Sequence, residues 1–170
     1  MTERMKTLAV AGFMMATLAT ATPPGRADAA PGSLLAKATT EQLTAAAKAL
    51  NSAPAALRAD ADAAMPTLRP YLITLMCVQD DSATVALVRT YIGSRGTTMF
   101  NGWSGAASPA KRMPHHDMVG CLTVTRIQNW RRIAANEFGF DILFTAEDSG
   151  ESYLWPTKVH REPDGTWLIA

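Results

Sequence analysis

The sequence predicts an α+β fold in which N-terminal helices pack on a C-terminal antiparallel β-meander. Two changes of pattern and one kind of punctuation predict it. Apolar residues recur at helical spacing between residues 39 and 92, then switch to period two from Met118 onward. The second region is cut by turn signals, Asp148-Ser149-Gly150 and Pro163-Asp164-Gly165. Helices followed by a run of hairpins are expected to lie together on one face of a sheet.

The first helix is expected in TEQLTAAAKAL. Thr39 followed three residues later by Gln42 forms a capping box, each side chain satisfying the other's backbone N–H. Asn51-Ser52 is expected to end that helix and cap the next, SAPAALRADADAAM, with Pro54 in its first turn. Pro66 and Pro70 then predict breaks, because each proline disfavours helical backbone in the residue before it. A third helix, PYLITLMCVQ, carries Leu72, Leu75, Met76 and Cys77 on its apolar side. A fourth, SATVALVRTYIG, points Val85, Leu87, Val88 and Ile92 inward and stops at Gly93.

Residues 93–117 show neither period, and so long a stretch is expected to be functional, to be disordered, or to hold a short strand or helical turn around Thr98–Phe100. The first strand is expected from Met118, with Val119, Cys121, Thr123, Thr125 and Ile127 on one face and Leu122, Val124 and Arg126 on the other. The second places Phe138, Phe140, Ile142 and Phe144 on one face and Asp141 on the other. The third carries Tyr153, Trp155, Thr157 and Val159, and Pro156 within it predicts an edge or bulge. TWLI closes the sheet.

The N-terminal segment reads as an export signal. MTERMK is basic, and TLAVAGFMMATLATA adds about fifteen uncharged residues, short of the roughly 20 needed to span a bilayer. Small residues at Ala19-Thr20-Ala21 suit peptidase cleavage, with Ala27-Asp28-Ala29 a later alternative. The expected organisation is a signal peptide over 1–21, cleaved as late as 29, a flexible linker over 22–38, and one α+β domain over 39–170. The location expected is periplasmic or secreted, with no stable membrane insertion after cleavage.

The 170 residues are 48% hydrophobic and 18% charged, with a formal net charge of +1. Removing residues 1–21 takes the basic residues from 16 to 14 and the acidic from 15 to 14. A neutral chain without a basic stripe excludes nucleic acid as an expected partner. In an exported protein Cys77 and Cys121, 44 positions apart, are expected to form a structural disulfide. No C-x-x-C pair suggests a redox role.

The closing pattern Asp164-Gly165-Thr166-Trp167-Leu168-Ile169, preceded by the hairpin residues Ser149-Gly150-Glu151, resembles the NTF2-like (cystatin-like α+β) superfamily over about residues 70–170. That resemblance implies a cone-shaped pocket between sheet and helices, used by enzymes, ligand binders and assembly modules alike.

Three functions follow as expectations. The first is a non-catalytic exported module binding a small apolar ligand or an envelope protein partner, with a homodimer through the sheet as one assembly. Its ligand residues would be Trp103, Phe138, Phe140, Tyr153 and Trp155. The second is a pocket enzyme of isomerase or cyclase type. Its acid–base candidates are His115, His116, Asp117 and Asp141, supported by Tyr153 and His160, because imidazole and carboxylate exchange protons near neutral pH. The third is an envelope assembly or secretion-system accessory domain. Adjacent histidines on extended backbone diverge, and no ligand spacing accompanies them, so no metal or other cofactor is expected. Gly102-Trp103-Ser104-Gly105 lacks the spacing and flanking elements of a nucleophile elbow.

Overall fold

The computed structural model describes residues 37–77, 90–92 and 108–170. The expected export signal, most of the expected linker, most of the fourth expected helix and the loop residues Trp103 and Ser104 lie outside them. Within them the fold is α+β. Helices α1 (Thr40–Leu50) and α2 (Arg58–Met76) precede strands β1 (Thr123–Ala134), β2 (Glu137–Thr145), β3 (Ser152–Arg161) and β4 (Trp167–Ile169). The strands form one antiparallel sheet in sequence order.

The capping box opens α1 as expected: Gln42 N donates to Thr39 Oγ1 at 3.2 Å and Thr39 N to Gln42 Oε1 at 2.8 Å. Gln42 is itself buried and its amide donates to the carbonyl of Cys121 at 2.9 Å. One residue thus starts the helix and ties it to the sheet. Asn51 closes α1, but Ser52 caps nothing. Its hydroxyl instead donates to Ile127 O and accepts from Trp130 Nε1, joining the α1–α2 connection to β1.

The breaks expected at Pro66 and Pro70 do not occur, and α2 runs through both. The four-residue spacing puts the two rings on one side of the helix, with exposed Asp62 and Pro66. The carbonyls left without a donor, those of Asp62 and Pro66, lie on this outer side, where water can serve them. The inner side buries Ala61, Ala64, Leu68, Leu72 and Leu75. Burying that stripe outweighs the two missing hydrogen bonds, since each large apolar side chain contributes about 1.5–3 kcal/mol. Tyr71 is buried there too, and that burial pushes its phenol up to about 12.

The sheet's inner face carries Phe138, Phe140, Ile142 and Phe144 of β2, all almost fully buried, as the alternation predicted. Trp155, Thr157 and Val159 of β3 share this face, opposite Ile142, Phe140 and Phe138. Pro156 sits where β3 is paired on its β2 side only, the edge position expected of it.

The first strand departs from its expected parity. It begins at Thr123, because Met118 (φ 64°) and Gly120 (φ 83°) adopt left-handed backbone that interrupts extension. Val119, expected on a strand face, is 76% exposed. A register shift between Val124 and Arg126 then inserts an extra residue, so Val124 and Ile127 both reach the core despite unequal parity. A second shift, between Gln128 and Arg131, holds Asn129 at φ 55°, a conformation asparagine tolerates better than most residues. Paired with Arg131 just beyond it, Gly139 leaves a side chain little room: a Cβ there would meet Ile133 Cδ1 at 3.1 Å and the Thr157 carbonyl at 3.3 Å.

Cys77 and Cys121 form the expected disulfide, with Cα atoms 4.3 Å apart. Met76 O accepts from Leu122 N at 2.8 Å beside it. Together they fasten the C-terminus of α2 to the start of β1. The bridge is consistent with an oxidising, extracytoplasmic setting. At the opposite edge, Ile92 forms a parallel bridge with Ile169, and Thr67 Oγ1 donates to Trp167 O at 2.6 Å.

Candidate functional site

Two polar regions stand out among the described residues. The first is built on Pro114-His115-His116-Asp117, which leads from a short 3₁₀ turn (Ala110–Arg112) toward the disulfide. The loop between β2 and β3 rises to meet it. His115 donates from its backbone N to Glu151 Oε2 at 2.8 Å, and its Nδ1 lies 2.6 Å from Glu151 Oε1. His116 Nδ1 lies 2.9 Å from Asp148 Oδ1, while Asp117 N donates to Asp148 Oδ2 at 2.7 Å.

Each carboxylate therefore receives a ring nitrogen and a backbone N–H. These donors hold both carboxyls below the usual range. For Asp148 the largest cause is the Asp117 N–H, followed by His116; for Glu151 it is the His115 side chain. With the carboxylates ionised, the imidazole Nδ1–H is the donor in both pairs.

Asp117, the expected acid–base partner, is not the hydrogen-bonded one. It stands 3.9 Å from His116 Nδ1 and instead accepts from Val119 N at 2.7 Å, closing a turn around Met118. His116, Asp117 and Asp148 do bring possible metal-ligating atoms within 4.8 Å of one another. Both Asp148 oxygens are already acceptors, however, and the His116 side chain is only 4% exposed. The group is arranged as a fastening between two loops.

Its pH response follows from the lowered carboxyls. The stabilisation is full above the unfolded values, about 3.9 for Asp and 4.3 for Glu. It is lost as pH falls through the lower folded values. An Asp148→Asn/Glu151→Gln variant should be less stable than wild type at pH 7, with the gap narrowing as the pH falls below about 4. Urea unfolding across this range measures it; parallel curves would contradict the fastening.

Asp141 does not join the histidines. Its carboxylate accepts from Asn129 Nδ2 at 2.8 Å and pairs with Arg131 at 3.4 Å, bracing the second register shift of β1. The expected ligand aromatics are also committed elsewhere. Phe138 and Phe140 are 0% and 1% exposed, and each packs against Trp130. Trp155 is buried and Tyr153 half-buried against it, with ring centroids 6.3 Å apart. These side chains fill the core; they do not line the cleft described next.

The second region is a cleft of about 780 Å³ at the β3–β4 end of the sheet, lined by Ala63, Asn136, His160, Arg161, Glu162, Pro163, Gly165 and Trp167. The β1–β2 turn supplies Asn136, whose carbonyl accepts from Arg161 N at 2.8 Å. The Pro163-Asp164-Gly165 turn is shaped by Gly165 at φ 88° and by Thr166 N donating to Asp164 Oδ1 at 2.9 Å. Trp167 is supported beneath by Phe138, with ring centroids 5.2 Å apart. Above it lies Arg161, whose guanidinium carbon is 5.7 Å from the ring centroid, within cation–π range.

His160, expected as a supporting group of the acid–base site, is 5% exposed and lies in this cleft, and its Nδ1 is buried without a hydrogen-bond partner. Sequence reasoning missed the cleft, because its residues are scattered over α2, two turns and two strands. It also missed Asp148 and Glu151. The one available signal was that the turn Asp148-Ser149-Gly150-Glu151 places two carboxylates at the tip of a hairpin. Compared with known protein families, curated proteins and solved structures, the chain returns no match.

Proposed function

We propose that the chain is an exported, non-catalytic module that binds a small molecule in the cleft at the Arg161–Trp167 end of its sheet. The observation that carries the reading is the cleft itself: about 780 Å³, with an aromatic floor and a guanidinium, an amide and an imidazole in its lining. Small-molecule sites typically combine such a volume with a few convergent polar groups. Export rests on the signal-like residues 1–21 together with a disulfide suited to an oxidising compartment. The NTF2-like resemblance belongs to the same reading, since pockets between sheet and helices serve ligand binding in that superfamily.

The ligand differs from the wholly apolar one that Phe138 and Phe140 suggested, because those rings are committed to the core. The His116–Asp148 and His115–Glu151 pairs serve the fold in this reading, as loop fastenings.

Screening small polar and aromatic fragments against isotope-labelled protein by NMR tests the proposal. Saturable shifts are expected at the amides of Asn136, Arg161, Gly165 and Trp167. Shifts confined to His115–Asp117 and Asp148–Glu151 would overturn it in favour of an acid–base site.

A further inference from the structure

We infer that the cleft selects a small organic anion bearing one carboxylate, a conclusion that rests on the binding reading above and specifies its ligand. Arg161 is permanently charged and presents a planar set of N–H donors suited to a carboxylate. Its position is set twice over: its backbone N donates to Asn136 O at 2.8 Å, and its guanidinium lies over Trp167. A guanidinium resting on an aromatic face loses less freedom on binding than a solvated one, and its N–H edges still point outward to a ligand.

Trp167 is in turn held by Phe138 and by Thr67, so the platform under the cation is part of the core. His160 lines the same cleft with Nδ1 uncommitted to any acceptor among the described residues. A buried polar nitrogen in that state calls for a partner or a tolerated desolvation cost. Asn136 offers a neutral amide at the rim.

Arg161 is the one permanently charged cation among the lining residues, and Glu162 contributes a carboxylate to the same lining. With that carboxylate beside it, the single cation can serve at most one negative charge on a ligand. Multiply charged phosphoesters generally draw on several cations or on a nest of backbone N–H groups. The aromatic floor and the Pro163–Gly165 turn favour a flat organic body behind the acid. Benzoate is the simplest probe of this class, and benzamide is its neutral counterpart of nearly the same shape.

The test is an NMR titration of the full domain with benzoate, benzamide and inorganic phosphate, in wild type, Arg161→Lys and Arg161→Gln. Arg161 is exposed, and dispersed amide spectra will verify that its variants fold. Benzoate is expected to saturate at the Asn136, Arg161, Gly165 and Trp167 amides, with benzamide and phosphate weaker by about tenfold or more. Arg161→Gln should lose about tenfold in benzoate affinity, and Arg161→Lys should recover part of it. Benzamide binding as tightly as benzoate, or Arg161→Gln leaving affinity unchanged, would overturn the anion preference while leaving the cleft a binding site. Tighter binding of phosphate would overturn the carboxylate assignment. If neither benzoate nor any screened fragment moves these amides, the binding reading fails with it.

Discussion

Phe138→Ala is expected to cost about 3–5 kcal/mol of stability, the usual range for deleting a buried aromatic ring. Phe138 is fully buried and its ring centroid lies 6.2 Å from those of Trp130 and Phe140 and 5.2 Å from that of Trp167. Removing it leaves a void bounded by three rings and by the backbone of a central strand, none of which can collapse inward easily. A domain of this size is typically stable by about 5–15 kcal/mol, so the variant should unfold at markedly lower urea. The loss should also reach the cleft, because Phe138 supports Trp167 and Trp167 supports Arg161. A change below about 1 kcal/mol would mean that the aromatic cluster is not the centre of the core.

Removing the disulfide as Cys77→Ala/Cys121→Ala should have a comparable effect. Closing a loop of 44 residues restricts the unfolded chain by roughly 4 kcal/mol in the loop-entropy treatment. Both cysteines are buried, and paired alanines introduce no polar group there. The bridge lies next to the Met76–Leu122 hydrogen bond, so its loss also frees the junction between α2 and β1. Urea midpoints of the oxidised wild type and the double variant measure this. Reduced wild type should behave like the variant, whereas equal stability of all three would show that the helix–sheet junction holds without the bridge.

Much of the fold was legible because it depends on local rules. The Thr39–Gln42 box, the period-two run of Phe138, Phe140, Ile142 and Phe144, and the Pro163–Gly165 turn each express a short-range preference that the tertiary structure respects. The misread elements are those where a longer-range term prevailed. Pro66 and Pro70 oppose helix locally, but their common exposed side leaves the apolar stripe of α2 intact. The alternation in β1 failed because a bulge changes parity without leaving a mark in composition.

The sites show the same division. His115, His116 and Asp117 were visible as a cluster, but their partners Asp148 and Glu151 arrive by a hairpin thirty or more positions away. The geometry favours an anchor, because each of those carboxylates receives a ring nitrogen and a backbone N–H. The cleft was less visible still. Asn136, Arg161 and Trp167 carry no spacing rule that joins them, and only the sheet register, pairing Arg161 with Trp167, brings cation and ring together.

The central claim is that this cleft holds a small ligand through Arg161. Native mass spectrometry of the protein isolated from its native source tests it most directly, comparing wild type with Arg161→Glu. The wild-type spectrum should show a retained small-molecule adduct, and the variant, folded and oxidised, should show none. An adduct of equal occupancy in both proteins, or no adduct in either, would contradict the claim.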